Sequence, residues 1–223
     1  MEDTLFKEVD AYISSLLAHE DQSLTGATAL INSNAIPNAS ISANQGKFLQ
    51  VLAIACNAKR ILELGTLGAY STIWLAQSLP KNGKVISIEF DPLHAEVAKR
   101  NVTQAGLDEM IEIRQGAAMD ILPQLEKERS GPFDMVFIDA DKPPYLEYFK
   151  WAIRLGRPGT IIVADNVIRN GKVLETDSED EKVRGVQRLN TWLSECKEVS
   201  ATILQTVGVK EYDGMVVAVI NQV

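Results

Sequence analysis

Hydrophobic positions change their period along the chain. Up to residue 58 they recur at helical spacing. Leu5, Val9, Tyr12, Ile13, Leu16 and Leu17 fall on one face of a first helix. Thr25 to Asn34 predicts a second helix. Ser42 is placed to cap a third that carries Phe48, Leu49, Leu52, Ala53 and Ala55. The stretch Ala35-Ile36-Pro37-Asn38 breaks the pattern between them. From residue 60, short β-branched runs alternate with helical stretches. Strands are predicted at Arg60–Leu64, Lys84–Phe90, Ile111–Gln115, Phe133–Asp139 and Thr160–Asp165, and helices at Ser71–Ser78, Pro92–Ala105, Ala118–Lys127 and Tyr145–Leu155. That alternation predicts an α/β fold with a parallel, doubly wound sheet. After residue 166, Glu181–Glu195 reads as a helix with Val183, Val186, Leu189 and Leu193 on one face. Ala201–Val207 and Gly214–Ile220 then read as strands joined around Lys210-Glu211-Tyr212-Asp213. Strands that close in sequence should pair antiparallel. The whole of 1–223 reads as one domain, with helices over 1–58 and the sheet over 59–223.

Two of the apolar runs end in acid. Met135-Val136-Phe137-Ile138 stops at Asp139-Ala140-Asp141-Lys142, and Ile161-Ile162-Val163-Ala164 stops at Asp165-Asn166. In one parallel sheet these ends share an edge, the edge where open α/β sheets bind ligands. Three carboxylates and an amide there suit Mg²⁺ or Ca²⁺ better than zinc. Ile61-Leu62-Glu63-Leu64-Gly65-Thr66-Leu67-Gly68-Ala69-Tyr70-Ser71 reads as a strand, a glycine turn and a helix start. It offers Gly65-x-x-Gly68, not the Gly-x-Gly-x-x-Gly of dinucleotide sites, and Glu63 would repel a pyrophosphate. Glu89 ends the next strand, where a carboxylate accepts from ribose hydroxyls. A nucleoside bearing positive charge fits both features, and S-adenosylmethionine is such a molecule.

Charge and composition exclude several classes. The 22 basic and 30 acidic residues give −8, with no Lys/Arg cluster, which argues against a nucleic-acid partner. No apolar stretch approaches the ~20 residues of a membrane span. The acidic start Met1-Glu2-Asp3-Thr4 does not read as a secretory signal, so a cytoplasmic protein is expected. Cys56 and Cys196 fall in apolar-periodic segments and read as buried free thiols. His19 and His94 read as surface or satisfied residues, Trp151 and Trp192 as packing anchors, Tyr145 as core, and Glu175 to Lys182 as a solvated loop.

The ordered set Glu63 to Ser71, Glu89, Asp139-Ala140-Asp141-Lys142 and Asp165-Asn166 resembles the cation-dependent class I S-adenosylmethionine O-methyltransferases, the caffeoyl-CoA and catechol O-methyltransferase-like family in its bacterial form. The resemblance implies a Rossmann-like, seven-stranded sheet with an antiparallel last strand. It implies S-adenosyl-L-methionine as cofactor, bound by Ile41, Glu63, Gly65, Thr66, Ser71, Glu89, Ala118, Asp141 and Tyr148. It implies a divalent cation (Mg²⁺, or else Ca²⁺ or Mn²⁺) held by Asp139, Asp165 and Asn166. Lys142 matches the general base, and Asn170 a substrate-binding position. A catechol-type small molecule, such as a hydroxycinnamate or flavonoid, is the implied acceptor, and a homodimer the implied assembly, its N-terminal segments shaping the substrate pocket. Ile41 stands where plant relatives often carry a small hydroxyl residue. The chain also looks short where those relatives recognise a CoA ester. Methylation of a hydroxylated uridine in tRNA, and non-catalytic binding of S-adenosylmethionine by a regulator, are the alternative functions.

Overall fold

The computed structural model describes residues 2–37 and 39–222; Asn38, the end of the expected break, lies outside them. Three helices come first: α1 (Glu2–Leu17), α2 (Gln22–Ser33) and α3 (Ala43–Ala55). Then β1 (Arg60–Leu64), α4 (Tyr70–Ala76), β2 (Lys84–Glu89), α5 (Pro92–Gln104), β3 (Ile111–Gln115), α6 (Ala118–Lys127), β4 (Met135–Ile138), α7 (Tyr145–Leu155) and β5 (Ile161–Asp165) alternate. A 3-10 turn at Lys172–Leu174, α8 (Glu181–Glu195), β6 (Val199–Thr206) and β7 (Asp213–Ile220) complete the order. Seven strands form one sheet in the order β3-β2-β1-β4-β5-β7-β6. The β1–β5 pairs are parallel, while β7 runs antiparallel between β5 and β6. The doubly wound α/β sheet with an antiparallel last strand is therefore as expected.

Alternation along each strand sorts side chains to two faces. Leu62, Leu64, Val136, Ile138 and Ile162 join α6, α7 and α8 in one core, through Leu122, Phe149 and Leu189. Ile61, Met135, Phe137 and Val163 point the other way, onto Leu24, Leu49, Trp74 and Val97 of α2–α5. Each such fully buried side chain contributes about 1.5–3 kcal/mol, so the central strands and their C-terminal ends are held firmly. Helix starts follow local chemistry. Ser42 and Gln45 form a reciprocal capping box on α3, and Asp91 followed by Pro92 opens α5.

Differences from expectation are local. β2 stops at Glu89 rather than Phe90. β4 is shorter than Phe133–Asp139, because the Phe133 amide donates to the Leu155 carbonyl outside the ladder. Cys56 and Cys196 are free, but each is a helix C-cap and only half-buried. No helix among the described residues is long and apolar enough to cross a membrane.

Candidate active site

The chain runs from β1 to one side of the sheet through β2 and β3, and to the other through β4 and β5, so β1 and β4 are neighbours at a topological switch point. Crevices form there because successive connections leave in opposite directions. Gly65 adopts φ +93°, and a Cβ at that position would collide with the carbonyl oxygen of Asp139. Only glycine lets the turn after β1 lie so close to the end of β4. A cavity of about 710 Å³ opens above this junction. Ile41, Gly65, Thr66, Ser71, Glu89, Ala118, Asp141 and Tyr148 all line it.

Glu63 is the exception among the expected cofactor residues. It is fully buried beneath the turn and does not reach the cavity wall. Its carboxylate accepts from the hydroxyls of Ser71 (2.6 Å), Thr72 and Ser87. A hydroxyl has one proton to give. With that of Ser87 committed to Glu63, Thr66 donates to Ser87 across 2.5 Å. Ser71 gives its proton inward, so its oxygen faces the cavity as an acceptor. Burial pushes the Glu63 carboxyl up to about 7 against the opposing pull of the three hydroxyls. Glu89 is positioned by backbone: its carboxylate accepts from the amides of Thr66 (3.1 Å), Leu67 (2.7 Å) and Asp91 (2.9 Å), and His94 Nδ1 lies 3.7 Å away.

Asp139, Lys142, Asp165 and Asn166 meet where β4 and β5 end. Asp165 is 2% exposed, and Asn166 turns the chain at φ +57°. Lys142 Nζ donates to Asp139 Oδ1 at 3.0 Å and to the Tyr145 phenol oxygen at 2.5 Å. That phenol in turn has the carbonyls of Ile138 (3.1 Å) and Asp165 (2.9 Å) within reach of its single proton. Burial, and then the neighbouring Asp139, push the Asp165 carboxyl up to about 8, while Lys142 acts in the opposite sense. Two close carboxylates that resist ionising together fit a hard divalent cation. Among the described residues no three His, Cys, Asp or Glu side chains converge, and the donors at hand are two carboxylates and the Asn166 amide.

A second cavity, about 590 Å³, lies on the other side of Asp139 and Asn166. Asp165, Arg169, Asn170, Lys172 and the β6–β7 loop residues Val209, Lys210 and Tyr212 line it. Ala39, Ser40, Ile41, Asp139 and Asn166 line both cavities.

Three lining or positioning residues were invisible in the sequence reading. His94, expected to be a surface or satisfied residue, does have a partner in Glu89, and it also lies on the wall of the first cavity. Its signal was the Asp91-Pro92 helix start, which puts His94 in the first turn, next to the end of β2. Tyr145 is core, as expected, yet its hydroxyl holds Lys142. Arg169 gave no pattern at all.

The O-methyltransferase family matches residues 14–219. A catechol O-methyltransferase of Niastella koreensis is 59% identical, covering 99% of this chain and 100% of its own length. A catechol O-methyltransferase of Mycobacterium tuberculosis is 45% identical, covering 96% of each. The crystal structure of the O-methyltransferase TomG from Streptomyces achromogenes, involved in tomaymycin synthesis and in complex with SAM, superposes with a TM-score of 0.96 at 44% identity, covering 100% of both chains.

Proposed function

The chain belongs to the O-methyltransferase family, and on that premise we propose that it methylates one of two vicinal hydroxyls of a catechol-type small molecule, with a divalent cation held by Asp139, Asp165 and Asn166. Hydroxycinnamates and flavonoids are the acceptor classes we assign. The observation that carries this reading is the shared wall: two cavities, each large enough for one reactant, meet at Asp139, Asn166 and Ile41. When bound, S-adenosylmethionine supplies a methyl on a sulfonium, and the cation supplies charge that favours the phenolate form of the acceptor.

The residues divide the remaining work. Glu89, fixed by three amides, has about one lone-pair site left for the ribose hydroxyls. Asp141 accepts from the Tyr148 phenol through one oxygen at 2.7 Å, and the other is available to an ammonium group, as is the outward-facing oxygen of Ser71. His94 and Ala118 border the space for the base. A phenol with an ordinary pKa of ~10 must lose its proton to become a nucleophile. Lys142, held between Asp139 and Tyr145, is the group placed to receive that proton, through the lone pair of its uncharged amine; such positioned bases are worth about 10²–10⁴-fold. Holding the two reactants in line across the shared wall can supply about 7–11 kcal/mol more. The acceptor oxygen enters from the second cavity, bordered by Asn170. We also propose a homodimer through the outward apolar stripe of α1, on which Leu5, Tyr12 and Leu16 are exposed.

The test is transfer of labelled methyl to a catechol. Turnover should vanish in EDTA and return with Mg²⁺. Asp165→Ala should lose turnover while calorimetry still detects S-adenosylmethionine binding. Full activity in EDTA overturns the metal assignment.

A further inference from the structure

The turn after β1 is held from two sides, and only one of them faces the first cavity. Leu67 and Ala69 both adopt left-handed backbone, at φ +50° and +67°. Neither is glycine, so each is disfavoured by its own Cβ. A turn that stores two such residues needs neighbours that hold it. On the cavity side, Glu89 takes the amides of Thr66 and Leu67. Behind the turn, Asn101 of α5 donates through Nδ2 to the Gly68 carbonyl at 2.8 Å, and the same nitrogen reaches the Ala27 carbonyl of α2 at 3.4 Å. Ile31 of α2 closes the same side, since a Cβ on Gly68 would run into it. Asn101 is 1% exposed and lines neither cavity. Its Oδ1 is buried with no partner among the described residues, a cost that an apolar side chain of the same shape would avoid. What the asparagine supplies in return is a donor between those two carbonyls.

We propose that Asn101 is a positioning residue for S-adenosylmethionine: its bond to Gly68 keeps the turn in the form that carries Gly65, Thr66, Leu67 and Ser71 on the cavity wall. The proposal rests on the first cavity being the cofactor site. The strain at Ala69 and the Asn101 hydrogen bond then oppose one another in a single equilibrium between the formed turn and relaxed ones. Cofactor affinity falls with the fraction of molecules that has lost the turn. Removing the bond enlarges that fraction. Removing the strain shrinks it again, because glycine takes φ +67° freely. A residue that only fills space behind the turn shows the first effect without the second.

Calorimetry of S-adenosylmethionine binding to the full chain tests it, with kcat read at saturating cofactor on a catechol acceptor in Mg²⁺. Asn101→Leu should raise the cofactor Kd about fivefold, the order of one hydrogen bond, with kcat and the acceptor KM close to wild type. Adding Ala69→Gly to Asn101→Leu should return Kd to within about twofold of wild type. Asn101→Ser, too short to reach Gly68, is measured alongside, so that a leucine that does not fit still leaves a readable variant. It should show the same loss and the same rescue. Titrations are scaled to the folded fraction read by circular dichroism. An unchanged Kd in either variant, or a loss that Ala69→Gly leaves in place, overturns the proposal while the cofactor reading stands. Wild-type protein that binds no S-adenosylmethionine overturns both.

Discussion

A carboxylate that accepts from three hydroxyls but meets no cation loses more by leaving water than those hydrogen bonds return. Glu63 is in that position, fully buried beneath the glycine turn, and its carboxyl rises from an ordinary 4.5 to about 7. The sign follows. The folded state favours the protonated form more than the unfolded chain does. Its contribution to stability is complete below about 4.5 and is lost as pH rises through about 7. That difference corresponds to roughly 3 kcal/mol. Glu63→Gln keeps the shape but cannot ionise. Urea unfolding between pH 5 and 8 should therefore show wild-type stability falling relative to the variant, and parallel profiles would contradict the assignment. The sequence suggested that Glu63 lies inside the glycine turn, whereas it is a β1 residue paired beside Ser87 of β2, and composition and spacing say nothing of the hydroxyls that meet it there. Tyr145 makes the same point. Its period marked it as core, which it is, while the direction of its phenol toward Lys142 depends on the packing of α7 on β4.

Elements with strong local signals were legible. The ends of β1, β3, α6, α7 and α8 match their expected positions, because each is a uniform run bounded by glycine, a cap or a charged loop. Contacts between distant elements were not. Asp10 of α1 is 5% exposed and accepts from the Asn44 side chain (3.1 Å) and the Val209 amide (3.0 Å), the latter 199 residues away in sequence. No local pattern encodes such a pairing. Its effect is to tie α1 to α3 and to the β6–β7 loop, which borders the second cavity but not the first. Asp10→Ala should therefore loosen that loop, at a cost of about 1–3 kcal/mol for two unpaired donors and the lost tether. The expected kinetic outcome is a higher KM for the acceptor with unchanged affinity for S-adenosylmethionine, read by initial rates and calorimetry. A matching loss of cofactor affinity would show that α1 supports the whole site instead.

At the scale of the molecule, the strand order explains why so much of the site was readable: the rule that ligands gather at the C-terminal edge, near the switch between β1 and β4, turns two acid-ended runs into neighbours. The same sheet leaves α1 outside, tied down through Asp10, with Leu5, Val9, Tyr12 and Leu16 exposed at 56%, 45%, 65% and 53%. These four recur at i, i+4, i+7 and i+11, one continuous stripe turned to solvent. An apolar stripe of this kind marks an interaction surface. A second copy of the chain would cover it with an equal stripe in an isologous contact. Sedimentation should then give a particle of twice the chain mass at micromolar concentration. Tyr12→Glu with Leu16→Glu places two charges in the stripe without touching Asp10, and should yield a folded monomer. Wild-type protein that sediments as a monomer would refute the dimer. Because α1 also braces the β6–β7 loop, the monomeric variant should bind S-adenosylmethionine normally and its acceptor less tightly, so that assembly and acceptor recognition fail together.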